Sequence, residues 1–224
     1  MRKLTGIIGA GLLLALVPAV GAGAEETPTC DGAPATIVGA GAISGTSGDD
    51  VIVGSAGADV IDAGAGNDLV CGGAGNDTIE GGAGDDFLFG EAGNDTIRGG
   101  TGSDGLVGDD FTGESAGNDV LDGGNGDDFV TGQRGNDSVT GGSGNDELFG
   151  GPGTDSVDGA QGDDVIFGNF GSDTLTGGNG DDFIDGDNPQ EGPFGGPVQT
   201  SPHTDTCDGG RGANIVDHCE AGTA

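Results

Sequence analysis

Aliphatic residues recur every nine positions along most of this 224-residue chain. Seven consecutive nonapeptides run from 45 to 107, and seven more run from 123 to 185. The eighth position is always aliphatic in these copies, beginning with Ile52, Ile61 and Val70. Side chains alternate sides along a β-strand, so positions seven to nine predict a short strand whose aliphatic residue points inward. A fixed period of this kind indicates a solenoid of stacked repeats.

Glycine and aspartate occupy fixed places between the predicted strands. The copy at 72–80 reads GGAGNDTIE, and all fourteen uninterrupted copies have Gly at position four and Asp at position six. Glycine permits the positive φ of a tight turn and lets backbone carbonyls approach an ion. Aspartate supplies a hard oxygen ligand of the kind that calcium takes. The segments between the strands are therefore predicted to be metal-binding turns.

These nonapeptides closely resemble the RTX family of calcium-binding repeats, whose pattern is G-G-x-G-x-D-x-U-x with U aliphatic. The resemblance implies an all-β fold, a right-handed parallel β-roll with two nonapeptides per turn and Ca²⁺ between turns on both edges. Pairing each repeat with the second one after it implies roughly 11–15 ions. The metal-binding residues that the resemblance implies are Asp50, Asp59, Asp68, Asp77, Asp86, Asp95, Asp104, Asp119, Asp128, Asp137, Asp146, Asp155, Asp164, Asp173 and Asp182.

Irregular copies mark the limits of the predicted roll. Two copies contain insertions, near 111–116 and 187–204, and the second of these insertions is rich in Pro. The last, degenerate copy has Asn214 where Asp is expected, so we do not expect a full site there. The predicted divisions are a signal peptide at 1–24, an N-terminal cap segment at 25–44, the roll at 45–217 and a C-terminal tail at 218–224.

Composition narrows the classes of function. The chain has 55 Gly, and its 39 acidic residues against five Lys and Arg give a net charge of −34. Such a composition would indicate disorder if the glycines had no period. The phosphates of nucleic acids would repel a polyanion of this strength, which excludes nucleic acid as a partner. One small aliphatic residue per nonapeptide is too thin a core to order a glycine-rich chain, so folding is expected to need calcium.

The first 24 residues predict a cleaved export signal. Arg2 and Lys3 precede an apolar run from 7 to 20, and the small residues of 22–24 follow it, which is the order found in secretory signal peptides. The apolar run is short for a membrane span, and a buried N-terminal helix is the alternative. We therefore expect a secreted, extracellular protein without a membrane span.

The four cysteines lie near the two ends of the predicted roll. Disulfides Cys30–Cys71 and Cys207–Cys219 would fasten the ends of a solenoid whose terminal turns lack a neighbour. Zinc bound by Cys207, Cys219 and His218 is the alternative, although no C-x-x-C pair accompanies them.

A second period, of eighteen residues, predicts two unlike outer faces. Odd-numbered repeats place six of the nine Phe at outward positions, whereas even-numbered repeats place mainly Thr, Ser and Asp there. We call the six the Phe strip: Phe87, Phe89, Phe129, Phe149, Phe167 and Phe183. An exposed apolar strip usually marks an interface, so we expect self-association or a protein partner there. Cover by residues 25–44 or by the insertions is the alternative.

Together these features predict a secreted calcium-binding β-roll that folds on Ca²⁺ binding outside the cell and has a structural or interaction role. One alternative is an ice-binding or adhesin-like roll that uses the Thr residues of the even-numbered repeats. Another is a non-catalytic remnant of an RTX enzyme or toxin. Outside the repeats, no residue cluster offers a base, a nucleophile or a catalytic metal, so an enzyme is not expected.

Overall fold

A computed structural model of the chain describes residues 27–110, 116–186 and 205–219. The predicted signal peptide, the insertion at 187–204, most of the insertion near 111–116 and most of the C-terminal tail lie outside these residues. Within them the chain forms 21 strands and no helix. This part of the chain accordingly contains no helix that could cross a membrane.

The strands are short, and each of the longer ones begins at position seven of a nonapeptide. In chain order they are β1 (Thr29–Cys30), β2 (Ala33–Pro34), β3 (Ile37–Val38), β4 (Ala42–Thr46), β5 (Val51–Ser55), β6 (Val60–Ala65), β7 (Leu69–Ala74), β8 (Thr78–Ala83), β9 (Phe87–Ala92), β10 (Thr96–Thr101), β11 (Gly105–Asp109), β12 (Val120–Asn125), β13 (Phe129–Thr131), β14 (Ser138–Ser143), β15 (Glu147–Gly153), β16 (Ser156–Gln161), β17 (Val165–Gly171), β18 (Thr174–Asn179), β19 (Phe183–Asp185), β20 (Thr206–Asp208) and β21 (Ile215–Asp217).

Two parallel sheets form the walls of a roll. The odd-numbered strands from β3 to β21 form a ten-stranded sheet, and the even-numbered strands from β4 to β20 form a nine-stranded sheet. Each strand pairs with the strand two places along the chain, so that Ile61 of β6 lies opposite Ile79 of β8. β1 and β2 form a separate antiparallel pair. This arrangement confirms the predicted all-β parallel roll with two nonapeptides per turn.

The core is a column of aliphatic side chains between the two sheets. Position eight of every uninterrupted copy is at most 1% exposed. The first half of this column consists of Ile52, Ile61, Val70, Ile79, Leu88, Ile97 and Leu106, and the second half continues from Leu121 to Ile184. The pairing continues across both insertions, since Ile97 lies opposite Leu121 and Leu175 lies opposite Cys207. The insertions therefore interrupt the sequence without interrupting the sheets.

The roll begins before the first regular nonapeptide. Ile37 of β3 pairs with Ile52, and Ile43 of β4 pairs with Ile61. Ile43 belongs to the same buried core and is 6% exposed. Part of the predicted cap segment at 25–44 thus supplies two strands to the sheets. Ile43 stands nine residues before Ile52, so the aliphatic period alone could have identified it.

Both predicted disulfides are present. Cys30 bonds to Cys71, which ties β1 to β7, and Cys207 bonds to Cys219 at the other end of the roll. The zinc alternative is wrong, because both sulfur atoms it needs are in a disulfide. The ring Nδ1 of His218 lies instead 2.9 Å from Oδ1 of Asp185.

The Phe strip lies on the outer face of the ten-stranded sheet, and the chain covers part of it. The rings of Phe149 and Phe167 stack with centroids 5.1 Å apart. Phe87 is 47% exposed, whereas Phe89 and Phe149 are each 7% exposed. Cys30 packs against Phe89 in a buried cluster. The segment around Cys30 therefore covers the strip near its N-terminal end.

The outer face of the nine-stranded sheet is polar and charged. Its position-seven residues include Thr78 and Thr96, which lie opposite each other. Arg98 interrupts this face, with its guanidinium 3.8 Å from a carboxylate oxygen of Glu80 and 3.9 Å from one of Asp122. The regular Thr ladder that an ice-binding surface would need is therefore broken by ion pairs.

Candidate metal centres

Two rows of turns, one along each edge of the roll, carry the repeat aspartates. Edge A comprises the turns that enter the ten-stranded sheet, and edge B comprises those that enter the nine-stranded sheet. The edge A aspartates are Asp50, Asp68, Asp86, Asp104, Asp128, Asp146, Asp164 and Asp182. The edge B aspartates are Asp59, Asp77, Asp95, Asp119, Asp137, Asp155, Asp173 and Asp205. Every one of these residues is buried, with at most 8% of its surface exposed.

Asp205 is an addition to the predicted set. It lies at the sixth position of the copy that the insertion at 187–204 interrupts, directly before β20. Its Oδ1 accepts the backbone N–H of Asp173 at 2.8 Å, as expected for the next member of the row. The insertion hid it, because counting in nines loses the register there, but the sequence Asp-Thr-Cys-Asp at 205–208 still carries the strand pattern.

Glycine at position four brings successive turns into contact. Gly75 has φ +128°, and a Cβ there would lie 2.7 Å from the backbone N of Ala58 in the turn below. A side chain would therefore collide with the neighbouring backbone, and the conformation itself favours glycine. This close stacking places the aspartates of one edge in a continuous line.

Hydrogen bonds link the aspartates of each edge into a ladder. Oδ1 of Asp77 accepts the backbone N–H of Asp59 at 2.7 Å, and Oδ1 of Asp95 accepts that of Asp77 at 2.8 Å. The same bond joins Asp104 to Asp86 on edge A, at 2.8 Å. Each carboxylate is thus oriented by the turn that precedes it along the roll.

The second carboxylate oxygen of most repeat aspartates is buried and has no hydrogen-bond partner in the described part of the chain. This is true of Oδ2 of Asp68, Asp77, Asp86, Asp95, Asp104, Asp119, Asp128, Asp137, Asp146, Asp155, Asp164 and Asp182. A buried anionic oxygen without a donor is costly, and native proteins rarely contain one. A line of such atoms is the signature of a site for cations.

The bare oxygens face backbone carbonyls beside a glycine. A Cβ on Gly72 would lie 2.7 Å from Oδ2 of Asp77 and 2.9 Å from the carbonyl oxygen of Gly90. A Cβ on Gly81 of edge A would lie 2.5 Å from Oδ2 of Asp86 and 2.7 Å from the carbonyl oxygen of Gly99. The missing side chain leaves a small cradle that is lined by oxygen atoms of two successive turns.

This donor set fits calcium. Calcium accepts six to eight oxygen ligands, including carboxylates and backbone carbonyls, in flexible geometry. Among the described residues, no three Asp, Glu, His or Cys side chains are close enough to hold an ion together. The cradles combine one carboxylate with backbone carbonyls instead. If bound, calcium would supply the positive charge that the buried carboxylates need, and the aspartates would hold it between two turns.

Burial and mutual repulsion raise the pKa of several aspartates inside the two rows. Burial is the larger cause and the charges of neighbouring aspartates add to it, which raises the pKa of Asp119 and of Asp155 to about 8. The same two causes raise the pKa of Asp128 on edge A to about 7. The folded chain therefore disfavours the ionised carboxylates that it has brought together, unless a cation accompanies them.

The first aspartate of each row has protein partners instead. Oδ2 of Asp59 accepts the N–H of Ser55 at 2.7 Å and its hydroxyl at 2.9 Å, and Oδ1 accepts the N–H of Gly41. Oδ2 of Asp50 likewise accepts the N–H of Thr46 at 2.7 Å and its hydroxyl at 2.8 Å. Burial acts to raise the pKa of Asp59, but these hydrogen bonds outweigh it and the pKa is lowered. The N-terminal turn thus satisfies its carboxylates with hydroxyl and amide hydrogens.

Asn214 ends the row on edge A. Its Oδ1 accepts the N–H of Asp182 at 2.7 Å, which keeps the ladder intact. Its Nδ2 donates a hydrogen bond to the carbonyl oxygen of Gly209, where the other turns have a bare carboxylate oxygen. The amide therefore takes the place of the carboxylate, and this end of the row does not need a cation.

A family model of the RTX calcium-binding nonapeptide repeat matches residues 44–79, 72–106, 115–139, 131–166 and 158–188. These segments cover the two blocks of uninterrupted nonapeptides except for residue 107, and more than half of the chain. A search of curated proteins found no match to the chain.

Proposed function

Because the chain belongs to the family of RTX calcium-binding nonapeptide repeats, we propose that it is a secreted protein whose β-roll folds when calcium binds outside the cell. Its repeats and its fold are those of a calcium-binding β-roll. The role we propose is structural or interaction-mediating rather than catalytic. Support comes from the uniformity of the two edges, which repeat one ligand set many times and so suit the binding of many similar ions.

The observation that carries the proposal is the line of buried aspartate oxygens without partners on each edge. Successive turns are about 5 Å apart, the spacing of paired strands, so unneutralised carboxylates repel one another along the whole roll. The core offers only one aliphatic side chain per nonapeptide to oppose this repulsion. Calcium held between two turns would remove the repulsion and join the turns at once.

The disulfides of the chain and the usual affinity of extracellular calcium modules support folding outside the cell. The chain carries two disulfides, which form and persist in oxidising compartments. Extracellular calcium modules typically bind with a dissociation constant of about 10⁻⁴–10⁻³ M, far weaker than cytosolic buffers. A roll with such sites stays unfolded at low calcium during export and folds afterwards. We retain roughly 11–15 ions as the expected number.

A calcium titration followed by circular dichroism tests coupled folding. We expect a disordered spectrum in excess chelator and a β-rich spectrum at millimolar calcium, because binding only to the folded state stabilises it. Magnesium serves as the control and should substitute poorly, since it resists dehydration and demands octahedral geometry. A β-rich spectrum that persists in chelator would contradict the proposal.

Export has a separate test. The full chain, expressed in a cell with a secretory pathway, should appear in the medium with an N-terminus that begins after Ala24. A matched chain with the apolar run at 7–20 interrupted by charged residues should stay inside the cell. Retention of both chains would refute secretion and leave calcium binding untouched.

A further inference from the structure

The second position of the repeat differs between the two edges. On edge A it is Gly or Ala in every described turn after the first. On edge B, three consecutive turns carry large polar residues there, namely Glu91, Asp109 and Gln133. Glu91 and Gln133 adopt φ +72° and +73°, a region that side chains rarely occupy. The repeat pattern explains none of these three side chains.

Asp109 resembles a repeat aspartate in having one carboxylate oxygen held by backbone N–H groups, although it lies outside the sixth position. Its side chain is only 1% exposed. Oδ2 accepts the backbone N–H groups of Gly117 and Arg134, both at 3.2 Å. Oδ1 is buried and has no hydrogen-bond partner among the described residues. One oxygen is thus held by the backbone and the other is left bare, as in the predicted calcium ligands.

Further oxygen-bearing side chains lie beside Asp109 on the turns below and above. Glu91 is directly opposite Asp109 in the pairing of β9 with β11. Gln133 precedes Arg134, whose N–H holds Asp109, and it is 8% exposed with no partner for Nε2 in the described chain. The two ends of an amide have the same shape, so Gln133 can present Oε1 by a rotation.

The charges around these residues favour a cation. Burial raises the pKa of Glu91 and of Asp109, and in each case the negative charge of Asp110 adds to the effect. Arg134 is the competing positive charge, because its guanidinium lowers the pKa of Asp109, but burial outweighs it. Negative charge therefore accumulates here beyond what the repeat aspartates already contribute.

We propose that Glu91, Asp109 and Gln133 form a further calcium site beside the edge B row, in which side chains at the second position supply the oxygens. Two carboxylates and an amide oxygen are ligands of the kind that calcium takes. The site spans three turns next to the first insertion, so it fastens the roll where the nonapeptide sequence is interrupted. The inference rests on the calcium binding proposed above.

Native mass spectrometry of the calcium-saturated full chain tests the site by counting bound ions. Asp109→Asn and Glu91→Gln should each bind one calcium fewer than the unaltered chain, and the double variant should still lose only that one. Asp62→Asn is the matched control, since it removes an exposed carboxylate on the outer face of β6 and should keep the full number. Circular dichroism verifies that each variant folds. If Asp109→Asn does not fold, the ion count of Glu91→Gln, at a half-buried residue, decides whether the further site exists.

A second comparison separates a distinct site from an extra ligand of the repeat site at Asp119. Asp109→Asn combined with Asp119→Asn should bind one ion fewer than Asp119→Asn alone. Equal numbers for those two variants would overturn the distinct site, as would a full count in Asp109→Asn and Glu91→Gln. If the unaltered chain binds no calcium at all, the failure lies with the proposed function rather than with this site.

Discussion

Replacing Gly81 by Ala places a methyl group in one calcium cradle. The new Cβ would lie 2.5 Å from Oδ2 of Asp86 and 2.7 Å from the carbonyl oxygen of Gly99. The backbone at Gly81 does not have a positive φ, so the change tests the cradle and not the backbone conformation. Gly48→Ala is the matched control, because it makes the same substitution where a Cβ meets nothing within 4 Å.

The expected loss has two parts. Two oxygens must move apart to admit the methyl group, and overpacking of this kind costs about 1–3 kcal/mol. An ion present at a hundred times its dissociation constant contributes about 2.7 kcal/mol, which is lost if the ion is displaced. Gly81→Ala should therefore lower the free energy of unfolding in saturating calcium by roughly 4–6 kcal/mol. Gly48→Ala should raise it by about 0.4–1 kcal/mol, because Ala reduces the freedom of the unfolded chain.

Urea unfolding monitored by circular dichroism measures both variants. In saturating calcium, Gly81→Ala should unfold at lower urea than the unaltered chain, and native mass spectrometry should count at least one ion fewer. In excess chelator, both variants should show the same disordered spectrum as the unaltered chain. Equal stability of Gly81→Ala and Gly48→Ala in calcium would refute the placement of an ion at this glycine.

Three other predictions concern pH, the disulfides and the Phe strip. Asp119 and Asp155 on edge B have pKa values raised to about 8 in the fold. Their contribution to the stability of the calcium-free fold is complete below the pKa of the unfolded chain, and it is lost as the pH rises through the pKa of the folded chain. Circular dichroism in chelator should therefore show more β structure at about pH 4.5 than at about pH 8, and the opposite trend would contradict the shifts. Replacing Cys30 and Cys71 together by Ser should cost about 4 kcal/mol, measured by urea unfolding in calcium, since their bond closes a long loop; an unchanged midpoint would show that the bond stabilises nothing. Phe129→Ser and Phe167→Ser should abolish the calcium-dependent association of the protein with itself, measured by sedimentation. Ser138→Ala on the opposite face should leave this association intact. A calcium-bound protein that is monomeric in every variant would mean that the chain covers the strip itself.

Most of the fold could be predicted because its information is local and repeated. An aliphatic residue at position eight, such as Ile79 or Leu148, is buried for the same reason in every turn, so each copy confirms the others. The turn formed by β3 and β4 was harder to recognise, since this stretch has Gly41 where a regular copy has Asp. There the nine-residue spacings of Ile43 from Ile52 and of Gly39 from Gly48 carried the signal.

The aspartates were predictable as a column, but their differences from one another were not. Asp59 accepts a hydrogen bond from the hydroxyl of Ser55, four residues earlier. Most other turns have glycine at the position that corresponds to Ser55. Asp109 stands in an irregular copy, and only the stacking of turns reveals Glu91 opposite it. The contact of Asp59 with Ser55 lies within one turn, whereas that of Asp109 with Glu91 joins two turns and residues 18 positions apart in the sequence.

The two ends of the roll suggest how calcium binding becomes cooperative. Each cradle takes oxygens from two successive turns, so an ion binds well only where both turns are already folded. At the N-terminal end, Thr46 and Ser55 satisfy the first carboxylates without an ion, and the Cys30–Cys71 disulfide ties this end together. This end can therefore order first and offer a template to the next turn, as expected for a solenoid stabilised by nearest-neighbour contacts. Because every added turn completes a site for the next ion, folding should proceed toward Asn214 over a narrow range of calcium concentration.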